Sequence, residues 1–269
     1  FAMRTSDKDW AKNLRKKGQL LAPQWIHTPD ADGRHIHAVE ISAMDSLPPV
    51  MFVHGSPGSS DAFTDYLADT VLSGHARLVA IDRPGFGYTE AFGRPEPSLE
   101  KQAMALKTVL DQIAPGEKAL LVGHSLGGPI VAKFAMMYPE QTAGLLIVAG
   151  SIDPAQEEHP WWQGAIHVPP LKWVVPKALW ASNAEIIPLE KELEQMRPAW
   201  TEIRCPVRLI HAVNDRLVPV ENVAFAREAL AHLPGFKADI LPDGDHFILW
   251  NQQPLVKAAI LGMLQEAKD

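Results

Sequence analysis

Short apolar runs that end at glycine- or aspartate-marked turns and alternate with amphipathic helical patterns constrain this chain more than any other feature. Pro49-Val50-Met51-Phe52-Val53 leads into Gly55-Ser56-Pro57-Gly58, and Ala76 to Ile81 ends at Asp82-Arg83-Pro84-Gly85. Ala119 to Val122 ends at Gly123, Leu145 to Ala149 is a fourth run and Val207 to Ala212 a fifth. Helical patterns over Ser98 to Ile113, Pro129 to Tyr138 and Val220 to His232 separate them. A strand with no polar face must be covered on both sides. The alternation therefore predicts an α/β fold, a mostly parallel β-sheet flanked by helices on both faces. Lys237 to Leu241 reads as one more strand and Leu255 to Ala267 as a closing helix. Ahead of this pattern, Ser6-Asp7-Lys8-Asp9 opens a helix that Gly18 ends, with Trp10 and Leu14 on one face. Gln24 to Thr28 and Arg34 to Ala43 read as a hairpin around Asp32-Gly33.

The stretch Pro154 to Trp200 breaks the alternation and holds Trp161, Trp162, Trp173, Trp180 and Trp200, five of the eight tryptophans. It reads as a helical cap, 154–200, inserted into a core formed by 1–153 and 201–269; an aromatic lid on a sheet end makes a natural wall for an apolar pocket. The alternative is a long crossover with no role over a site. A chain of 269 residues suits one large domain with an insertion. Its formal net charge of −7 and lack of a basic run argue against nucleic acid as the main partner. Its longest apolar stretches fall far short of the roughly 18–20 residues of an integral membrane segment. The single cysteine, Cys205, cannot form an internal disulfide and reads as a small buried hydrophobe. The first residue is Phe1, which suggests a removed leader or a cloning remnant. The compartment stays open between cytoplasmic and exported, as a bacterial periplasmic or lipoprotein form. Oligomeric state is unknown at this level.

The segment that carries chemistry is Leu120-Leu121-Val122-Gly123-His124-Ser125-Leu126-Gly127-Gly128-Pro129. A strand enters Gly-His-Ser-Leu-Gly and a helix leaves it, the context a nucleophile elbow requires. A side chain at 123 or 127 would collide with the turn or the following helix, so glycine is needed there. The turn lifts the Ser125 hydroxyl at the carboxyl end of the sheet, and the helix behind it aims its positive end at the reaction centre.

With these residues the sequence resembles the α/β-hydrolase fold family, in its serine hydrolase and esterase branch, from about Ile36 to Glu266. Val53-His54-Gly55-Ser56-Pro57-Gly58 is similar to the family's His-Gly oxyanion loop and Asp82-Arg83-Pro84-Gly85-Phe86-Gly87 to its D-x-x-G-x-G turn. Leu209 to Asp215 and Gly244-Asp245-His246-Phe247 follow in the family's order. A serine hydroxyl needs an adjacent base, and that base needs a third group to orient it. The order Ser, acid, His implies Ser125 as nucleophile, Asp215 as acid and His246 as base. Asp153, after the fourth strand, is the rival acid, because some members of the family carry it there. Asp243 and Asp245 flank His246 too closely to orient it, and Asp82 reads as a turn stabiliser. His54 and His124 read as structural neighbours of the site, and His27, His35 and His37 as surface residues of the early hairpin. The amide of Leu126, directly after the nucleophile, is one oxyanion donor; by resemblance the amide of Ser56 is the other. Pro57 has no N–H to offer.

The expected activity is hydrolysis of carboxylic esters with small-to-medium acyl groups, on a small-molecule ester substrate. Amide or iminopeptide, C–C bond and thioester hydrolysis, or perhydrolysis, remain open on the same triad. A non-catalytic ligand-binding protein on the same fold is the alternative of another class. Dehalogenase and epoxide hydrolase relatives use an aspartate where this chain has Ser125. Phe86, Trp161, Trp162, Phe247 and Trp250 are candidate substrate-pocket walls, with plain core packing the alternative for each. No cofactor and no metal is implied, since the sequence has neither H-E-x-x-H nor a cysteine cluster, and no Gly-Lys-Ser/Thr follows the glycines at 123, 127 and 128.

Overall fold

The computed structural model describes residues 4–158 and 175–267. Eight strands form one sheet: β1 (Gln24–Pro29), β2 (His35–Ile41), β3 (Pro49–Val53), β4 (Arg77–Ile81), β5 (Ala119–His124), β6 (Thr142–Val148), β7 (Val207–Ala212) and β8 (Lys237–Leu241). Their spatial order is β1-β2-β4-β3-β5-β6-β7-β8. The hairpin β1–β2 is antiparallel and β2 joins β4 antiparallel; every other pairing is parallel. The fold is thus α/β with a mostly parallel sheet, as the alternation of runs predicts. From β3 the chain steps outward to β4, then crosses back to β5 on the other side. That reversal opens a crevice beyond the carboxyl ends of β3 and β5, where α/β sheets bind ligands.

Period-2 alternation splits the core in two. Met51 and Val53 of β3 and Leu121 of β5 face one cluster with the helices Leu99–Ile113 and Gly127–Met137. Val50 and Phe52 of β3, with Leu120 and Val122 of β5, face the other, closed by helices Asp7–Lys16 and Gln253–Glu266. The helices Asp7–Lys16 and Leu99–Ile113 begin as the sequence suggests. Ser6 accepts from the Asp9 amide and Ser98 from that of Lys101, each satisfying a donor at a helix start. Cys205 is buried, and burial pushes its thiol up to about 12.

Two readings change. His37 is buried at 1 % exposure, because Asp7 of the first helix reaches it and Trp25, His27 and Tyr88 pack on its ring. Hairpin membership alone therefore did not make it a surface residue. Trp200 is also core, packed edge-on to Phe225 with ring centroids 5.6 Å apart. Within the segment expected to cap the site, helices Lys177–Ile186 and Leu189–Met196 are followed by a 3-10 turn, Arg197–Glu202. Trp161, Trp162 and Trp173 lie outside the described residues. No helix among the described residues is long and apolar enough to cross a membrane.

Candidate active site

β5 ends at His124 and the next helix starts at Gly127, so Ser125 stands at the tip of a two-residue turn. Its φ is +54°, a left-handed conformation that costs a non-glycine residue about 1–3 kcal/mol. The surroundings hold it there. Its N–H donates to the Val148 carbonyl at 3.0 Å, and its own carbonyl accepts from Gly128 at 2.9 Å and Ser151 at 3.3 Å. A Cβ at position 123 would stand 2.4 Å from the Gly127 carbonyl oxygen, and one at 127 would stand 2.2 Å from that of Val53. Both obstacles are backbone, so glycine is obligatory at each.

Asp215 follows β7 and His246 follows β8. Asp215 Oδ2 accepts from His246 Nδ1 at 2.8 Å, while its Oδ1 accepts from the amides of Leu217 at 2.9 Å and Val218 at 2.8 Å. Burial acts to raise the Asp215 pKa, but the His246 and amide hydrogen bonds outweigh it and hold the carboxyl below its usual range. A proton on Nδ1, assigned from this network, leaves His246 Nε2 as the acceptor. Asp153 is occupied elsewhere: its carboxylate accepts from Ala155 at 3.0 Å and its amide donates to Asn222 Oδ1 at 2.8 Å. Of the two rival acids, Asp215 is the one that touches His246. Asp245 serves its own turn, accepting from the Phe247 amide at 2.9 Å.

Two further histidines, His124 and His211, lie against this pair, and His54 lines one cavity with it. His124 donates from Nε2 to the His246 carbonyl at 3.1 Å, with the two rings 4.9 Å apart. Burial first, then the neighbouring His246, lowers its pKa to about 3. His54 donates from Nδ1 to the Gly55 carbonyl at 2.7 Å and accepts at Nε2 from the Arg83 amide at 3.1 Å. Burial and then the Arg83 charge bring it to about 3 as well. His211, unnoticed in the sequence, donates to the Val218 carbonyl at 2.9 Å and lies 3.7 Å from Asp215 Oδ2; burial lowers its pKa.

The loop after β3 carries Ser56, joined to Pro57 by a cis peptide bond. Arg83 braces it from beneath. Its Nε donates to the His54 carbonyl and its Nη2 to that of Gly55, both at 2.9 Å. Its outer edge meets Glu185 in a bidentate pair, both contacts 2.8 Å, and Gln102 Oε1 at 2.7 Å. Glu185 belongs to helix Lys177–Ile186, and Ser182 of that helix accepts from Ser56 Oγ at 2.9 Å. One helix of the inserted segment thus grips the loop at two points. The separation of 102 residues between Arg83 and Glu185 hid this pairing from the sequence.

Two cavities meet at Ser125 and His246, sharing Ser56 and Leu217 as well. One, of about 480 Å³, is walled by Pro57, Ala62, Phe247 and Trp250. The other, of about 310 Å³, mixes Ile186, Leu189 and Val218 with Glu158 and Arg216, and Leu126 borders it. Phe247 and Trp250 therefore line the cavity. Phe86 does not: it is fully buried, edge-on to His54 and under the Arg83 guanidinium, and belongs to the core. Trp161 and Trp162 fall outside the described residues.

Set beside known proteins, residues 48–173 match a family model described as the alpha/beta hydrolase fold. A 1-acylglycerol-3-phosphate O-acyltransferase of Arabidopsis thaliana is 28% identical over 158 residues, 53% of this chain and 37% of that protein. The chain spans well under two thirds of the length of the first curated relatives it matches. A 2-hydroxy-6-oxononadienedioate/2-hydroxy-6-oxononatrienedioate hydrolase of Klebsiella pneumoniae subsp. pneumoniae is 22% identical, covering 88% of this chain and 94% of that one. Among solved structures, an esterase from Exiguobacterium antarcticum superposes with a TM-score of 0.68 at 17% identity, covering 90% of this chain and 100% of that one.

Proposed function

This chain is an α/β hydrolase by fold, and on that premise we propose that it is a serine hydrolase cleaving carboxylic esters of small-to-medium acyl groups, with Ser125, His246 and Asp215 as its triad. The observation that carries the reading is the 2.8 Å contact between His246 Nδ1 and Asp215, on a ring that shares two cavities with a strained Ser125. His246 Nε2 takes the hydroxyl proton as Ser125 Oγ bonds to the ester carbonyl carbon. The oxyanion then rests on the amides of Ser56 and Leu126, donors of a kind worth about 2.7–4 kcal/mol each. Collapse breaks the bond to the alcohol, which leaves with the proton from His246. Water enters with His246 as base, the acid departs, and Ser125 regains its proton. Asp215 stabilises the imidazolium in both halves. The cap reading of 154–200 belongs to the same proposal. The two cavities suit an acyl group on one side of the serine and an alcohol on the other.

C–C bond hydrolysis is the second reading, favoured by the near-full-length likeness to the Klebsiella hydrolase and by Arg216, a cation on the 310 Å³ cavity that suits an acidic substrate. A fluorophosphonate probe tests the core of the proposal. Labelling of the native protein and none of Ser125→Ala is expected, whereas a folded native protein that takes no label favours ligand binding without catalysis. A p-nitrophenyl ester chain-length series beside an arylamide panel then fixes bond type and acyl size.

A further inference from the structure

A second histidine–carboxylate pair lies under the first helix, and no step of the hydrolysis uses it. His37 Nδ1 donates to Asp82 Oδ2 at 2.7 Å. Asp82 is itself fixed by the amides of Ser60 at 2.6 Å and Tyr88 at 2.8 Å. The far nitrogen of that ring, Nε2, is buried and makes no hydrogen bond, and the side chain is only 1% exposed. It points at Asp7 Oδ1, 3.3 Å away in the first turn of helix Asp7–Lys16. His27 of β1 sits directly opposite His37 in the strand register, so their side chains share a face, and their ring centroids are 5.0 Å apart. One ligand atom from each of Asp7, His27 and His37 lies within 4.8 Å of the others.

We propose that Asp7, His27 and His37 form a binding site for a divalent transition-metal ion, of which zinc is the type. Three features support it together. Two ligands about 2.0–2.1 Å from a tetrahedral ion stand about 3.3–3.4 Å apart, the spacing that Asp7 and His37 already have. The Asp82 carboxylate behind His37 Nδ1 fixes the ring and directs the Nε2 lone pair outward, the outer-shell partner that ligating histidines usually have. Two imidazoles and one carboxylate suit zinc and its neighbours over the hard ions calcium and magnesium. His27 is exposed, so water completes the fourth position. Asp7 and the two histidines come from three elements, so the ion is a cross-link between the first helix and the hairpin, and its role is structural. This inference goes beyond the hydrolase reading and does not depend on it.

The test uses the full chain, stripped with a chelator and titrated calorimetrically with zinc chloride. One zinc per chain is expected, with a raised thermal unfolding midpoint at saturating zinc. Cobalt(II) in its place should give visible bands of tetrahedral intensity. His27→Ala removes an exposed ligand without disturbing the core; it should weaken zinc binding at least tenfold and abolish both the cobalt bands and the thermal shift. Asp7→Asn should behave alike, and Ser125→Ala should bind zinc as the native protein does. If Asp7 is only an ion-pair partner of His37, the native protein binds neither metal, or His27→Ala binds them unchanged. Either result overturns the proposal.

Discussion

Among the described residues, two buried histidine–carboxylate pairs have nearly equal geometry, His246–Asp215 at 2.8 Å and His37–Asp82 at 2.7 Å. Each carboxylate also accepts two backbone amides, so each is a rigid anchor that fixes one ring nitrogen as donor. What differs is the surroundings of the other nitrogen. His246 lies on cavities it shares with a serine hydroxyl, whereas His37 Nε2 meets a carboxylate and a second imidazole under a helix. A carboxylate-oriented imidazole is thus a generic part. On the two proposals made above, its use depends on whether a hydroxyl or a set of ligand atoms lies near its free lone pair.

Substitutions can break this comparison or sharpen it. The largest effect should come from Ser125→Ala, which removes the hydroxyl that shares its cavities with the first pair alone; ester turnover should fall by about 10⁶-fold, measured against a p-nitrophenyl ester. Asp215→Asn should lower kcat by about 10⁴-fold, because an amide in place of the carboxylate favours the wrong imidazole tautomer. Asp82→Asn, the same change in the second pair, should alter kcat less than tenfold and lower the unfolding midpoint instead; equal kinetic losses would erase the distinction. Asp153→Asn should match the native rate, and a loss there comparable to that of Asp215→Asn would move the acid. Glu185→Ala strands the buried Arg83 charge, which typically costs about 3–5 kcal/mol of stability in urea unfolding. By loosening the Ser56 loop it should also slow fluorophosphonate labelling about tenfold.

The pH dependence is gentler. His54 and His124 titrate near 3 in the folded chain, chiefly because burial disfavours their charged forms, against about 6.5 when unfolded. Between those values the unfolded chain binds more protons. This stability is therefore fully present above about pH 6.5 and is lost as pH falls toward 3. The depressed Asp215 adds the same sign at lower pH. Thermal midpoints measured from pH 7 down to pH 4 should fall steadily. The smallest effect expected is that of His27→Ala on ester turnover, within twofold, since that residue belongs to the second region alone.

Legibility followed the range over which each constraint acts. The elbow was readable because Gly123, Ser125 and Gly127 restrain one another across a single turn. The choice between Asp153 and Asp215 was not, because both follow apolar strands and only the sheet decides which one reaches the β8 loop. Phe86, after a Pro-Gly turn, could point to core or cavity, and packing against His54 and Arg83 sent it inward. His37 was misread as a surface residue because the cover that buries it arrives from Asp7, thirty positions earlier.

The sequence by itself determined the layered architecture, the strained serine and the order of the groups that follow it. Glycine spacing, strand periodicity and helix capping are all local physics. The tertiary structure alone decided which carboxylate meets which imidazole, that Glu185 grips the loop after β3 through Arg83, and that Asp7, His27 and His37 converge. Those contacts join segments tens of residues apart. Their short, directional distances exist only once burial has fixed the backbone that presents them.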